Sequence, residues 1–187
     1  MNNKKYKGVY YPVRDVTDLK DIIVQSTRMF PEHPAYLVKD RKLGKFVPIT
    51  YGKVKEDLDG FGTKLIDMGL KGRKIAVIGE TSYYWILTYF TVVAGVGAIV
   101  PLDKNLPQDE LMGLVKRSGA SAIVYSDKSE KSIRPLFDDP FDIEFFISID
   151  GNEDTDRALS MNKLIRQGRE LLEAGDRRYV SADIDPD

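Results

Sequence analysis

Apolar residues recur along this chain at two spacings, which divide it into helices and strands. Leu19, Ile22, Ile23, Met29 and Phe30 fall on one face of a helix expected over residues 18–30, with Thr17 as N-cap and Pro31 as stop. The runs 35–39 and 45–49, joined by the polar link 40–44, read as a β-hairpin. A second helix follows, capped by Thr50. Its apolar residues Tyr51, Val54, Leu58, Phe61, Leu65 and Met68 advance in alternating helical steps, the strongest such signal in the sequence. Gly60 and Gly62 within it predict close backbone packing, and Gly69 supplies a left-handed stop.

From residue 74 the pattern alternates. A strand at 74–79 precedes a helix at 82–94, a turn at Gly95 and Gly97, and a strand at 98–100. A helix at 108–118, a strand at 121–125, a short helical segment at 130–136 and a strand at 144–149 complete the series. Short β-branched runs separated by helices imply parallel strands covered on both faces, joined by right-handed crossovers. The expected class is therefore α/β, a largely parallel sheet flanked by helices with an N-terminal β-hairpin. Beyond it come an acidic loop over 150–160, a helix at 161–174 carrying Leu164, Ile165, Leu171 and Leu172, and a tail at 180–187 that reads as the start of a connection.

Composition narrows the function. The 187 residues, 42% hydrophobic and 30% charged, suit one soluble domain. Lys and Arg number 28 against 29 Asp and Glu, so the net charge of −1 gives no footprint for nucleic acid. The basic run Lys71-Gly-Arg73-Lys74 reads as a solvated loop. With no cysteine, disulfides, thiolate metal sites and Cys nucleophiles are excluded, which fits a cytoplasmic location. The polar N-terminus lacks the apolar stretch of a secretory signal. Residues 83–102 carry no charge and are long enough to suggest a membrane span. Gly95, Gly97 and Pro101 interrupt them, and their second part is β-branched, so a buried helix, a turn and a buried strand are expected, with no transmembrane segment.

Candidate chemistry is sparse. Asp150, Asn152, Asp154 and Asp156 alternate like a calcium loop, but the sixth and twelfth places hold Thr155 and Met161 where glycine and a bidentate Glu belong. A solvated acidic loop is favoured. Gly95-Val-Gly97 precedes a strand instead of opening a helix, so it reads as a packing turn and not a dinucleotide loop. Gly79-Glu80-Thr81-Ser82 lies between a strand end and a helix start, where free N–H groups could hold an anion. Lacking a Lys or a further glycine, it is read first as a helix cap by Ser82 or Thr81. His33, the sole histidine, has no metal or triad partner in sequence and reads as a surface residue. Tyr83, Tyr84, Trp85, Tyr89 and Phe90 read as core rather than a base-stacking platform. A phosphoacceptor domain would need clustered Asp residues at strand ends, which are missing. No catalytic or metal-binding residue is assigned, and no cofactor-binding one.

Residues 65–127 resemble the early region of the adenylate-forming superfamily, most of all AMP-forming long-chain fatty acid–CoA ligases. Leu65 with Gly69, Ile75 to Glu80, Trp85, Gly95, Gly97, Val100-Pro101-Leu102-Asp103, and Pro107 with Glu110-Leu111 follow the family's order. Val13-Arg-Asp-Val-Thr-Asp-Leu19 and Pro48-Ile-Thr-Tyr51 are similar to its preceding region, and Thr81 departs from the family's usual Asn. The resemblance implies that residues 1–187 form the N-terminal part of an AMP-binding domain, with 180–187 leading toward a phosphate loop. It implies a two-step reaction in which a fatty acid and ATP give an acyl-adenylate and pyrophosphate, and CoA then displaces AMP. The family's loop T-S-G-T-T-G-x-P-K-G, its aromatic-Gly-x-T-E adenine motif and its C-terminal catalytic Lys do not occur in these 187 residues. The expectation is a chain inactive alone, needing no cofactor itself, whereas the whole enzyme uses ATP, magnesium and CoA. Its partner would be the remainder of the ligase or a second copy, and peripheral membrane contact stays open. The alternative is a stand-alone α/β binding or interaction module on the same scaffold.

Overall fold

The computed structural model describes residues 14–40 and 43–184. The expectations for Val13, for Arg41 and Lys42 in the hairpin link, and for the tail at Asp185, Pro186 and Asp187 lie outside them.

Helix α1 (Leu19–Met29) leads into an antiparallel hairpin of β1 (Pro34–Asp40) and β2 (Lys45–Thr50). The cap of α1 is Asp18, not Thr17: the Asp18 carboxylate accepts the Asp21 N–H at 2.9 Å, and Thr17 donates its hydroxyl to Asp18. A carboxylate at this place satisfies a free amide and also faces the positive end of the helix dipole, which a hydroxyl does not match. Helix α2 (Tyr51–Asp67) begins on the expected Thr50 cap, whose hydroxyl accepts the Lys53 N–H. It stops at Gly69, whose φ of +82° is the left-handed turn foreseen.

The main sheet comprises β3 (Lys74–Ile78), β4 (Ala98–Leu102), β5 (Ala122–Tyr125), β6 (Phe145–Ser148) and β7 (Leu159–Ser160). All its pairs are parallel, in the order β4-β3-β5-β6-β7. Strand β7 was not foreseen, because two residues carry no alternation to read. Helix α3 (Tyr83–Thr91) joins β3 to β4, α4 (Gln108–Ser118) joins β4 to β5, the one-turn α5 (Glu130–Ile133) lies between β5 and β6, and α6 (Met161–Glu173) closes the series.

Both faces of the sheet are covered, as continuous apolar strands require. Ile75, Val77, Val124 and Ile147 pack with Phe61, Leu65, Leu87 and Leu164 from α2, α3 and α6. On the other face Ala76, Ile78, Ile123 and Tyr125 pack with Leu111, Val115 and Ile133 from α4 and α5. Residues 83–102 form the expected helix, turn and strand, the turn being a wide π-type coil at Val92–Val96. A Cβ on Gly97 would sit 2.1 Å from the Arg73 carbonyl oxygen, so this is a packing turn held by close backbone approach. Among the described residues, no helix is long and apolar enough to cross a membrane.

Candidate functional site

Chain direction locates one crevice. After β3 the chain turns to α3 on one face of the sheet; after the neighbouring β5 it turns to α5 on the other. Such a divergence opens a cleft at the carboxyl ends of parallel strands, where this class of sheet places its ligands. Its floor is Gly79-Glu80 against Ser126. Gly79 has φ +154°, and a Cβ there would lie 2.8 Å from the Ser126 hydroxyl, so glycine permits the approach.

Glu80 occupies the cleft. Its carboxylate accepts from the Ser126 hydroxyl at 3.0 Å and lies 3.5 Å from Lys104 Nζ and 3.7 Å from Lys128 Nζ. Its own backbone N–H, then Ser126, Lys128 and Lys104, hold its carboxyl below the ordinary Glu range against the opposing effect of burial. Ser148 donates to Asp127 at 3.1 Å, and the Asp127 N–H donates to Asp150 at 2.9 Å, extending the polar rim along β6. Burial, then the charges of Glu130 and Asp127, push the Tyr125 phenol up to about 12. The helix start beside the cleft is capped from within the chain: the Ser82 hydroxyl accepts the Trp85 N–H at 3.3 Å, and Thr81 is exposed. The capping reading of this turn therefore describes it. The sequence did not show that Lys104 and Lys128, from the next two loops, would meet Glu80.

A second cluster escaped the sequence reading altogether. Asp57 of α2 is buried and accepts from Tyr83 at 2.8 Å, Lys53 at 2.6 Å and Arg169 of α6 at 2.5 Å. Burial, and then the Asp57 charge, push the Tyr83 phenol far above its ordinary value, so Tyr83 remains a donor. The signal was present: Asp57 lies three residues after Val54 and four before Phe61, a carboxylate inside the apolar stripe.

Other candidates disperse. In the acidic loop Asp154 pairs with Lys163 at 2.5 Å, Asp150 accepts from Asp127, and Asn152 accepts from Asn162. His33 is exposed, its ring 5.4 Å from that of Phe30. The aromatic block is less deeply buried than expected. Tyr83 alone of the five is buried, while Trp85 and Tyr89 stack at 6.0 Å, half-buried. The basic run Lys71-Gly-Arg73-Lys74 is exposed as foreseen, and Arg73 reaches Ser121 at 2.8 Å.

The sequence profile of the AMP-binding enzyme family matches residues 23–179. The chain belongs to the AMP-binding enzyme family. It is 32% identical over 97 residues to the mitochondrial medium-chain acyl-CoA ligase ACSF2 of Pongo abelii, a stretch covering 51% of this chain and 15% of that ligase. The fold is shared with the coronafacic acid ligase of Pectobacterium brasiliense, at a TM-score of 0.71 and 17% identity, covering 90% of this chain and 31% of that one. It is shared too with the anthranilate CoA ligase AuaEII bound to anthranoyl-AMP, at a TM-score of 0.68 and 20% identity, covering 81% and 27%. The chain thus spans less than a third of each of these proteins and corresponds to the N-terminal portion of the AMP-binding domain.

Proposed function

We propose that this chain supplies the N-terminal wall of an AMP-forming acid–thiol ligase acting on long-chain fatty acids, and that the 187 residues alone are inactive. The observation that supports this most is the position of the family-like block: residues 65–127 run from the end of α2 through β3, α3, β4, α4 and β5, and so build both sides of the cleft around Glu80. In the complete reaction a carboxylate and ATP give an acyl-adenylate and pyrophosphate, and the CoA thiol then displaces AMP.

These residues do not fit magnesium or the triphosphate. Among the described residues, no three His, Cys, Asp or Glu side chains converge as a metal site, and the sequence contains no Ser/Thr/Gly-rich phosphate loop. The two lysines of the cleft already face Glu80. No step of the reaction is therefore assigned to this chain's side chains, whose part is to shape the cleft and anchor the sheet. On this reading its partner is the remainder of the ligase, or a second copy when that is lacking, working in the cytoplasm. The exposed apolar residues Leu19, Met29, Leu37 and Phe46 support such packing.

ATP–pyrophosphate exchange with palmitate tests the proposal. The 187 residues alone should give no exchange above a no-protein control. The same residues continued by the rest of an AMP-binding domain should exchange, and faster with palmitate than with octanoate or an aryl acid. Exchange by this chain alone would overturn the inactivity; preference for octanoate or the aryl acid would overturn the substrate class.

A further inference from the structure

Helix α1 does not fill its seat. Between it, β1, α2 and α3 lies a cavity of about 210 Å³. Its body is apolar, formed by Ile22, Ile23, Leu58, Leu87 and Phe90, and no charged side chain among the described residues lines it. An apolar cavity of about 150 Å³ suffices to take up benzene. One wall is aromatic, with the rings of Tyr36 and Tyr83 meeting edge to face at 5.6 Å.

The polar groups of the wall divide into two kinds. Ser26 accepts from Arg14 at 3.3 Å, Thr27 donates to the Tyr51 carbonyl at 3.3 Å, and Tyr83 donates to Asp57. These are satisfied within the protein. Tyr36 and Tyr51 also line the cavity; no hydrogen bond ties either hydroxyl to another described residue, and both are open to solvent. Burial, then the neighbouring Tyr51, raises the Tyr36 phenol above its ordinary value, so it remains neutral and able to donate. Two tyrosines that line an apolar volume, with hydroxyls free to exchange water for a ligand, suit a neutral molecule with one oxygen. A carboxylate would enter without a cation to meet it.

We propose that this cavity is a binding site for a small neutral apolar molecule of about one aromatic ring, bearing a single hydroxyl or carbonyl group held by Tyr36 and Tyr51. The site shares no residue with the cleft around Glu80 and does not rest on the ligase reading.

Ligand-detected NMR on the full chain tests it, with p-cresol, toluene and p-toluate as probes. p-Cresol should bind saturably in the millimolar range or below, toluene several-fold more weakly, and p-toluate roughly tenfold more weakly or less. Replacing both phenols, Tyr36→Phe with Tyr51→Phe, should weaken p-cresol roughly three- to tenfold and leave toluene unchanged. Ala35→Phe, which fills the cavity from β1, should abolish binding of both, with circular dichroism confirming the fold. Where Ala35→Phe does not fold, Ala35→Leu makes the same test. No saturable p-cresol binding, or binding undiminished in the filled variant, would overturn the site. p-Cresol affinity unchanged without the two hydroxyls, or p-toluate binding as well as p-cresol, would overturn the ligand class.

Discussion

Helices α6 and α1 both rest on α2, and they rest on it differently. Helix α6 crosses it at Gly60 and Gly168, where a Cβ on Gly168 would lie 1.8 Å from the Gly60 carbonyl oxygen and one on Gly60 would lie 2.7 Å from that of Ile165. Backbone meets backbone, and Asp57 bridges the contact to Arg169. Helix α1 lies on the same helix with only Ser26 buried; Leu19, Ile22 and Met29, and Phe30 at its C-terminal end, are 38–51% exposed, and a cavity remains beneath. The first seam is specified by the absence of side chains, the second by side chains that do not complete a core. Stability should follow that division, with local opening least costly at α1.

The sharpest way to break the comparison is to add one methyl group at the tight seam. Alanine ordinarily favours a helix over glycine by about 1 kcal/mol. At Gly168 it collides with main chain, which cannot rotate away, so Gly168→Ala should destabilise by about 3 kcal/mol in urea unfolding. A loss under about 0.5 kcal/mol would mean that α6 slides easily on α2. The next test is electrostatic. Asp57→Asn keeps the shape but removes the charge facing Lys53, Tyr83 and Arg169. Lys53 and Arg169 are partly exposed, which spares some of the penalty of a stranded charge, so a loss of about 2 kcal/mol is expected. If Asp57→Asn unfolds at the parent's urea midpoint, the bridge adds nothing and packing alone makes the seam.

These seams were unequally legible. Gly60 and Gly62, both in a strongly periodic helix, announced close approach without naming what would approach; Gly168 on α6 and the Tyr179 ring, 2.3 Å from a Cβ on Gly62, come from far along the chain. The parallel sheet was readable because each strand is a short apolar run between helices, and the match of expectation to structure is close from β3 to β6. Helix α1 shows the opposite failing. Its apolar spacing predicted the helix, but periodicity tells which residues share a face and not whether anything covers it. The cleft was half legible: strand ends flag the place, while the meeting of Glu80, Ser126, Lys104 and Lys128 depends on β3 lying between β4 and β5, a neighbourhood that local pattern does not encode.

The smallest expected effect separates the helices by pH. The Asp21 N–H, then the Thr17 hydroxyl and Lys20, hold the Asp18 carboxyl below its ordinary range against a modest opposing effect of burial. A carboxyl lowered on folding contributes stability above its unfolded value, near 4, and loses it as pH falls through the folded value. Acidification from about pH 5 toward pH 2 should therefore weaken hydrogen-exchange protection in the first turn of α1, read amide by amide. The first turn of α2 is capped by Thr50, whose hydroxyl does not titrate, so its protection should change less over the same range. Asp18→Asn, which keeps a side-chain acceptor but no charge, should flatten the α1 profile. If the two first turns lose protection together in acid, the loss is global, and the looser seat of α1 does not act as a separate unit.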